Sequence, residues 1–180
     1  MTGGRKLLDF LYDAAGYLAA FFVFGIFAVM IAQTIMREAG LKTSGADDLT
    51  QWFSAAAAFL AMAHAFRHGD FVRVTLLLEH VGEKTRRILE MVSLAIGSLF
   101  CGYLAFWATR STYESWKYHE MSDGVIAVPM WIPQIAFAVG AVLLAVAVVE
   151  QLVVVLGGGK PAYVVAVEER HARGDYSEDI

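Results

Sequence analysis

Residues 14–36 read AAGYLAAFFVFGIFAVMIAQTIM, 23 consecutive positions without Asp, Glu, Lys or Arg. At about 1.5 Å rise per helical residue this stretch reaches roughly 35 Å, enough for a hydrocarbon core of about 30 Å. Its polar side chains are Tyr17, Gln33 and Thr34 alone, too few to hydrate one face of a soluble amphipathic helix. An ion in hydrocarbon costs about 2.5–3.5 kcal/mol even on the lenient insertion scale, so charge-free runs are the informative unit. Three more follow: Leu49 to Phe66 (18 residues), Met91 to Thr109 (19) and Gly124 to Val149 (26). The composition agrees, with 58% apolar or aromatic residues, 18% charged residues and a mean hydropathy of +0.54. The net charge of −4 offers no basic excess for a phosphate backbone, which excludes nucleic acid as a partner. Cys101, the single cysteine, can form neither an internal disulfide nor a thiolate cluster.

The expected fold is therefore an all-α integral membrane protein, one membrane domain over 1–180. Its four helices are expected at about 12–37, 48–67, 84–118 and 132–156. Arg5 and Lys6 before the first apolar run resemble the start of a signal sequence, but the run is too long for a cleaved one and reads as a retained first helix. Ten of the fourteen Lys and Arg residues fall in the N-terminal segment, the second connection and the C-terminal tail. That bias puts both termini in the cytoplasm, and the lipid bilayer becomes the first partner. In this topology Trp52, Trp107, Tyr113, Trp116, Tyr118 and Trp131 lie near the outer ends of the spans, where amphipathic rings favour the headgroup layer.

Small residues recur at helical spacing in the second span, at Ser54, Ala58, Ala61 and Ala65, and again at Ala136 and Gly140 in the fourth and at Ser98 and Gly102 in the third. Such faces let helices approach closely in lipid, within the chain or against a partner. Between spans two and three, Phe71, Val72, Val74, Leu76, Leu78 and Val81 alternate with charges, and Arg73, His80, Lys84 and Arg87 fall within one arc of a helix. This describes an amphipathic segment at 70–82 lying in the cytoplasmic interface, ended by Gly82; the plainer alternative is a solvated basic loop. Pro129 and Pro133 predict an extended entry into the fourth helix, starting near Pro133. Residues 157–180 read as a polar cytoplasmic tail.

Glu150 is the one acid well inside an apolar run, a membrane-embedded carboxylate that either snorkels and pairs with a base such as Arg86 or Arg87 or serves an ion path. His64 and His68 project from one helical face and cannot clamp a haem from opposite sides, while His80 and His119 lie in connections on opposite sides of the membrane. No phosphate loop, zinc-ligand spacing or activated nucleophile stands out, so the expectation is no enzyme, no catalytic residue, no metal ligand and no cofactor. A self-sufficient secondary transporter would need interrupted helices and polar groups at the midplane, which these runs lack.

Two stretches carry a resemblance. Arg67-His68-Gly69-Asp70-Phe71-Val72-Arg73-Val74, followed by Thr75-Leu76-Leu77-Leu78, is similar to the segment after the second helix in the small membrane subunit (DctQ-like, or Q subunit) of tripartite ATP-independent periplasmic (TRAP) transporters. Ser122-Asp123-Gly124, with Pro129-Met130-Trp131-Ile132-Pro133 and Gly140 beyond it, matches as well. Family members often carry histidine where Phe71 stands and aspartate where Thr75 stands. The resemblance implies a multi-pass subunit of the bacterial inner membrane that braces a large, DctM-like membrane subunit. That larger subunit would carry sodium and an organic acid, delivered by a DctP-like periplasmic binding protein. The small-residue faces at Ser54, Ala58, Ala61, Ala65, Ala136 and Gly140 would then pack on the large subunit. Asp47, Asp48, Glu114, Glu120 and Asp123, in or beside the outer connections, would help dock the binding protein by charge complementarity. The competing functions are a small oligomeric ion-coupled transporter or channel that uses Glu150, and a haem-bearing membrane anchor.

Overall fold

The computed structural model describes residues 2–41, 43–68, 82–159 and 161–165, without the side chains of 2–6, 83 and 84. They form α1 (Thr2–Glu38), α2 (Ala46–His68), α3 (Glu83–Lys117) and α4 (Trp131–Leu156), with no strand among the described residues. Three of the four contain stretches long and apolar enough to cross a membrane: Leu7–Glu38, Thr85–Lys117 and Trp131–Leu156. The Ala46–His68 helix is not among them, because alanine is only mildly apolar and Gln51, Trp52, Ser54 and His64 dilute it further. The first helix starts at Thr2, well before the expected residue 12. Asp9 and Asp13 interrupt the charge-free run but not the helix, since each meets a partner on α2.

The packing order departs from the chain order. α2 lies against α1 and α4, and α4 lies against α2 and α3, giving the row α1, α2, α4, α3. Small residues line these contacts: Ala56, Ala57 and Ala63 of α2 are buried together with Leu60, as are Gly140 and Ala147 of α4, while Ala138 and Ala141 of α4 cluster with Ala105 and Ala108 of α3. Close backbone approach is what such residues permit in lipid. Gly140 shows how close, since a Cβ there would stand 2.5 Å from the Phe59 carbonyl carbon. Phe59 also meets Phe137 edge-on, with ring centroids 4.3 Å apart. On the other side of α2, Ala15 and Ala19 of α1 cluster with Leu60, and Phe22 tilts against Phe53.

The expected small-residue faces divide between the interior of the bundle and its surface. Gly140 is buried against α2 of the same chain, and Ala136 packs on the Ala15, Ala19 and Leu60 cluster together with Ala61. Ala65 is half-buried, and Ser54 and Ala58 are exposed, with the Ser54 hydroxyl donating to the Thr50 carbonyl at 2.7 Å. In α3, Gly102 faces open space and Ser98 donates to the Leu94 carbonyl. The outer helices leave large apolar side chains uncovered, including Phe10, Phe21, Phe24 and Phe27 on α1 and Leu99, Phe100, Tyr103 and Phe106 on α3. Apolar exposure on this scale belongs to a chain surrounded by lipid or covered by a partner.

The connection from α3 to α4 is a tied loop. Ser122 N donates to Val128 O, Met130 N donates to Glu120 O, and Met121 bridges Pro129 in antiparallel fashion. α4 then begins at Trp131, just before Pro133, whose missing N–H is harmless in a first turn. Gly82 caps the start of α3 with extended backbone. Residues 69–81, which include Phe71, Arg73 and His80 of the expected interfacial segment, lie outside the described residues, as does the side chain of Lys84. Arg87 is described, and its Nη2 donates to the Val155 carbonyl at 3.4 Å.

The expected polar tail is not polar throughout. After Gly158, at φ 80°, has ended α4, residues 162–165 form a helical turn that folds back on the bundle. Tyr163 is 3% exposed and meets Phe66 edge-on. Gln151, 2% exposed, accepts the Ala162 N–H through Oε1 at 2.7 Å. Positions 166–180 lie outside the described residues.

Two glycines separate inner from outer faces by experiment. Gly140→Ala should destabilise the chain by about 1–3 kcal/mol, because its Cβ meets backbone. Gly102→Ala, with nothing near its Cβ, should be neutral or stabilising by up to about 1 kcal/mol. Unfolding of both variants in detergent, followed by circular dichroism, tests this contrast.

Candidate functional site

The functional groups gather where α1 begins and α2 and α4 end. Arg67, in the last turn of α2, is well placed there because a cation near a helix C-terminus is stabilised by the macrodipole. Its guanidinium is shared. Nη2 pairs with Asp9 Oδ1 of α1, and Nη1 donates to Glu150 Oε2 of α4 at 3.1 Å. The same plane lies over the Tyr12 ring, 5.3 Å from its centroid. Tyr12 is fully buried, and its hydroxyl makes a long 3.5 Å hydrogen bond to Glu150 Oε2.

One cation thus binds three helices together. The Arg67 and Glu150 side chains are 19% and 17% exposed, so water screens their pair little, whereas Asp9 at 45% keeps substantial solvation. The partner of Glu150 is therefore Arg67. Arg86 pairs instead with Glu90 at 3.6 Å, one turn on along α3, and Arg87 reaches the end of α4. A second constellation adjoins the first. His64 Nδ1 stands 3.4 Å from Asp13 Oδ1, and the His64 and His68 rings lie 4.2 Å apart, centroid to centroid. Gly16 makes room for this arrangement, since a Cβ there would stand 2.9 Å from His64 Cγ.

Asp9 and Asp13 stand just outside the charge-free run that begins at Ala14. Their spacing is nonetheless a signal. They are four apart on α1, and His64, Arg67 and His68 recur at three and four on α2, so two antiparallel helices present matching acids and bases.

The acids expected on the outer side lie at the opposite end of the helices and differ in what they hold. Asp48 is half-buried and accepts the Ile126 N–H at 3.2 Å, tying the start of α2 to the α3–α4 loop. Glu120 accepts from the Ser115 hydroxyl at 2.7 Å, which satisfies a buried serine. Glu114 pairs with Arg110 at 2.8 Å on α3. Asp47 accepts from Gln33 Nε2 at 3.2 Å, and it is exposed, as is Asp123. Asp48 and Glu120 thus have structural uses that the sequence does not reveal, because their partners are a backbone amide in another connection and a serine buried by folding.

Among known proteins, residues 26–158 match the family described as Tripartite ATP-independent periplasmic transporters, DctQ component. No curated protein matches the chain. The matched stretch contains Arg67, His64 and Glu150, whereas Asp9, Tyr12 and Asp13 precede it.

Removing the shared cation leaves Glu150 without its counter-charge in a poorly hydrated place. Arg67→Met should destabilise the chain by about 3 kcal/mol. The double variant Arg67→Met/Glu150→Met should recover part of that loss, since it removes the uncompensated charge. A double-mutant cycle on detergent unfolding measures both.

Proposed function

This chain belongs to the DctQ component family of tripartite ATP-independent periplasmic transporters, and from that membership we propose that it works as a static brace for a larger membrane subunit. A multi-pass membrane protein and a transporter component rather than an enzyme, it has chemistry suited to holding position. The observation that carries this reading is the division of its surfaces. Asp9, Arg67 and Glu150 are tied to one another across three helices, while the outer faces of α1 and α3 carry rows of uncovered aromatic and aliphatic side chains. Those faces suit lipid on one side and a partner's helices on the other.

In this reading α2 also crosses the bilayer, shielded by α1 and α4, and both termini face the cytoplasm of a bacterial inner membrane. Sodium and an organic acid are handled by the large subunit, after delivery of the acid by a periplasmic binding protein. Asp47, Glu114 and Asp123 belong to the docking surface for that protein. The engagement of Glu150 by Arg67 and Tyr12 supports a structural use over an ion path.

Glu150→Gln tests the division of labour. In vesicles holding the chain with its large subunit and binding protein, sodium-driven uptake per assembled complex should stay within about twofold of wild type, while detergent stability falls. Vesicles holding this chain alone should accumulate no carboxylate. Uptake by the chain alone that the variant abolishes would establish an independent carrier instead.

Docking has its own test. Asp47→Lys/Asp123→Lys should slow uptake several-fold at low binding-protein concentration, with the difference shrinking as salt rises. These two positions are chosen because Asp48 and Glu120 also hold the fold. Uptake unchanged at low salt would remove the outer acids from the docking surface.

A further inference from the structure

We propose that Asp13, His64 and His68 form a binding site for a divalent transition cation of the zinc, nickel or copper class, bridging α1 and α2. The three side chains each present one donor atom, and these atoms lie within 4.8 Å of one another. A tetrahedral ion with bonds of about 2.1 Å needs donors about 3.4 Å apart. His64 Nδ1 and Asp13 Oδ1 already stand at 3.4 Å. The remaining approach is a closing of the His68 ring, at the end of α2, toward that pair while Nδ1 keeps its bond to the His64 carbonyl.

The surroundings favour the site in three independent ways. His64 Nδ1 is buried and forms no hydrogen bond among the described residues, a polar atom held facing a carboxylate. His68 Nδ1 lies 2.9 Å from the His64 carbonyl oxygen, which can only accept, so Nδ1 carries the proton and the lone pair of that ring is on Nε2. A fixed tautomer of this kind is how metal-binding histidines are oriented. The local charge points the same way: Asp9 and Glu150 share one guanidinium, Arg67, and Asp13 stands against His64, so with neutral imidazoles these side chains carry a formal excess of negative charge.

Two imidazoles and one carboxylate select borderline transition cations over magnesium or calcium, which take all-oxygen shells. Three protein ligands leave a position for water. The site goes beyond the bracing role and does not depend on it. Its structural effect would be to cross-link the first two helices beside the Arg67 cluster.

The test is a Co2+ titration of the purified full-length chain in detergent, with any affinity tag removed, followed by displacement with Zn2+. One equivalent of Co2+ should bind saturably, with visible absorption bands that Zn2+ abolishes, and Zn2+ should raise the unfolding temperature. His68→Gln and Asp13→Asn, both at exposed side chains, should each weaken binding more than about tenfold. His119→Gln, at the far end of α3, should bind as wild type does. Absence of saturable binding overturns the proposal, as does wild-type affinity in either His68→Gln or Asp13→Asn. Circular dichroism of each variant confirms that its helices are intact before binding is compared.

Discussion

A guanidinium shared by carboxylates from two other helices sets the geometry of this protein. Arg67 is drawn toward Asp9 on one side and Glu150 on the other, so α2 takes the place between α1 and α4. In a medium where unpaired charge is expensive, that arrangement restricts how the three helices can slide or rotate. Alanine and glycine then set the spacing. Small residues on α2 and α4 bring backbone to within contact of backbone, as Gly140 and Phe59 do, and the charged cluster closes one end of the packed helices. At the other end Asp48 performs a lesser version of the same task by holding the loop before α4 through a single amide.

Much of the fold is legible in the sequence because lipid imposes a simple rule. Charge-free runs long enough to span identify α1, α3 and α4, and the two prolines mark the beginning of α4. The helix order is not legible in the same way. Nothing in the periodicity of Ala136 and Gly140 says whether their flat face meets another span of this chain or a different protein, since the same small residues serve both. The answer depends on which side chains face them, and Phe59 does.

The polar site was half visible. Glu150 stands out as an acid in an apolar run, but its partner lies 83 residues away on α2, beyond the reach of any local rule. Asp9 and Asp13 were hidden for a different reason. Counted as charges, they seem to delay the first helix; paired with Arg67 and His64, they allow it to begin at Thr2. The folded-back turn at 162–165 is hidden because its apolar stretch around Tyr163 is far too short to span, and its burial depends on contact with Phe66, distant in the chain.

The place of α2 in the row has a consequence for biosynthesis. A ribosome delivers α1 and α2 first, and α4 emerges only after α3 is complete. The helix with the weakest affinity for hydrocarbon is therefore made before one of its two flanking walls exists. Among the described helices, the wall that α4 supplies to α2 is complete only once translation has passed residue 156.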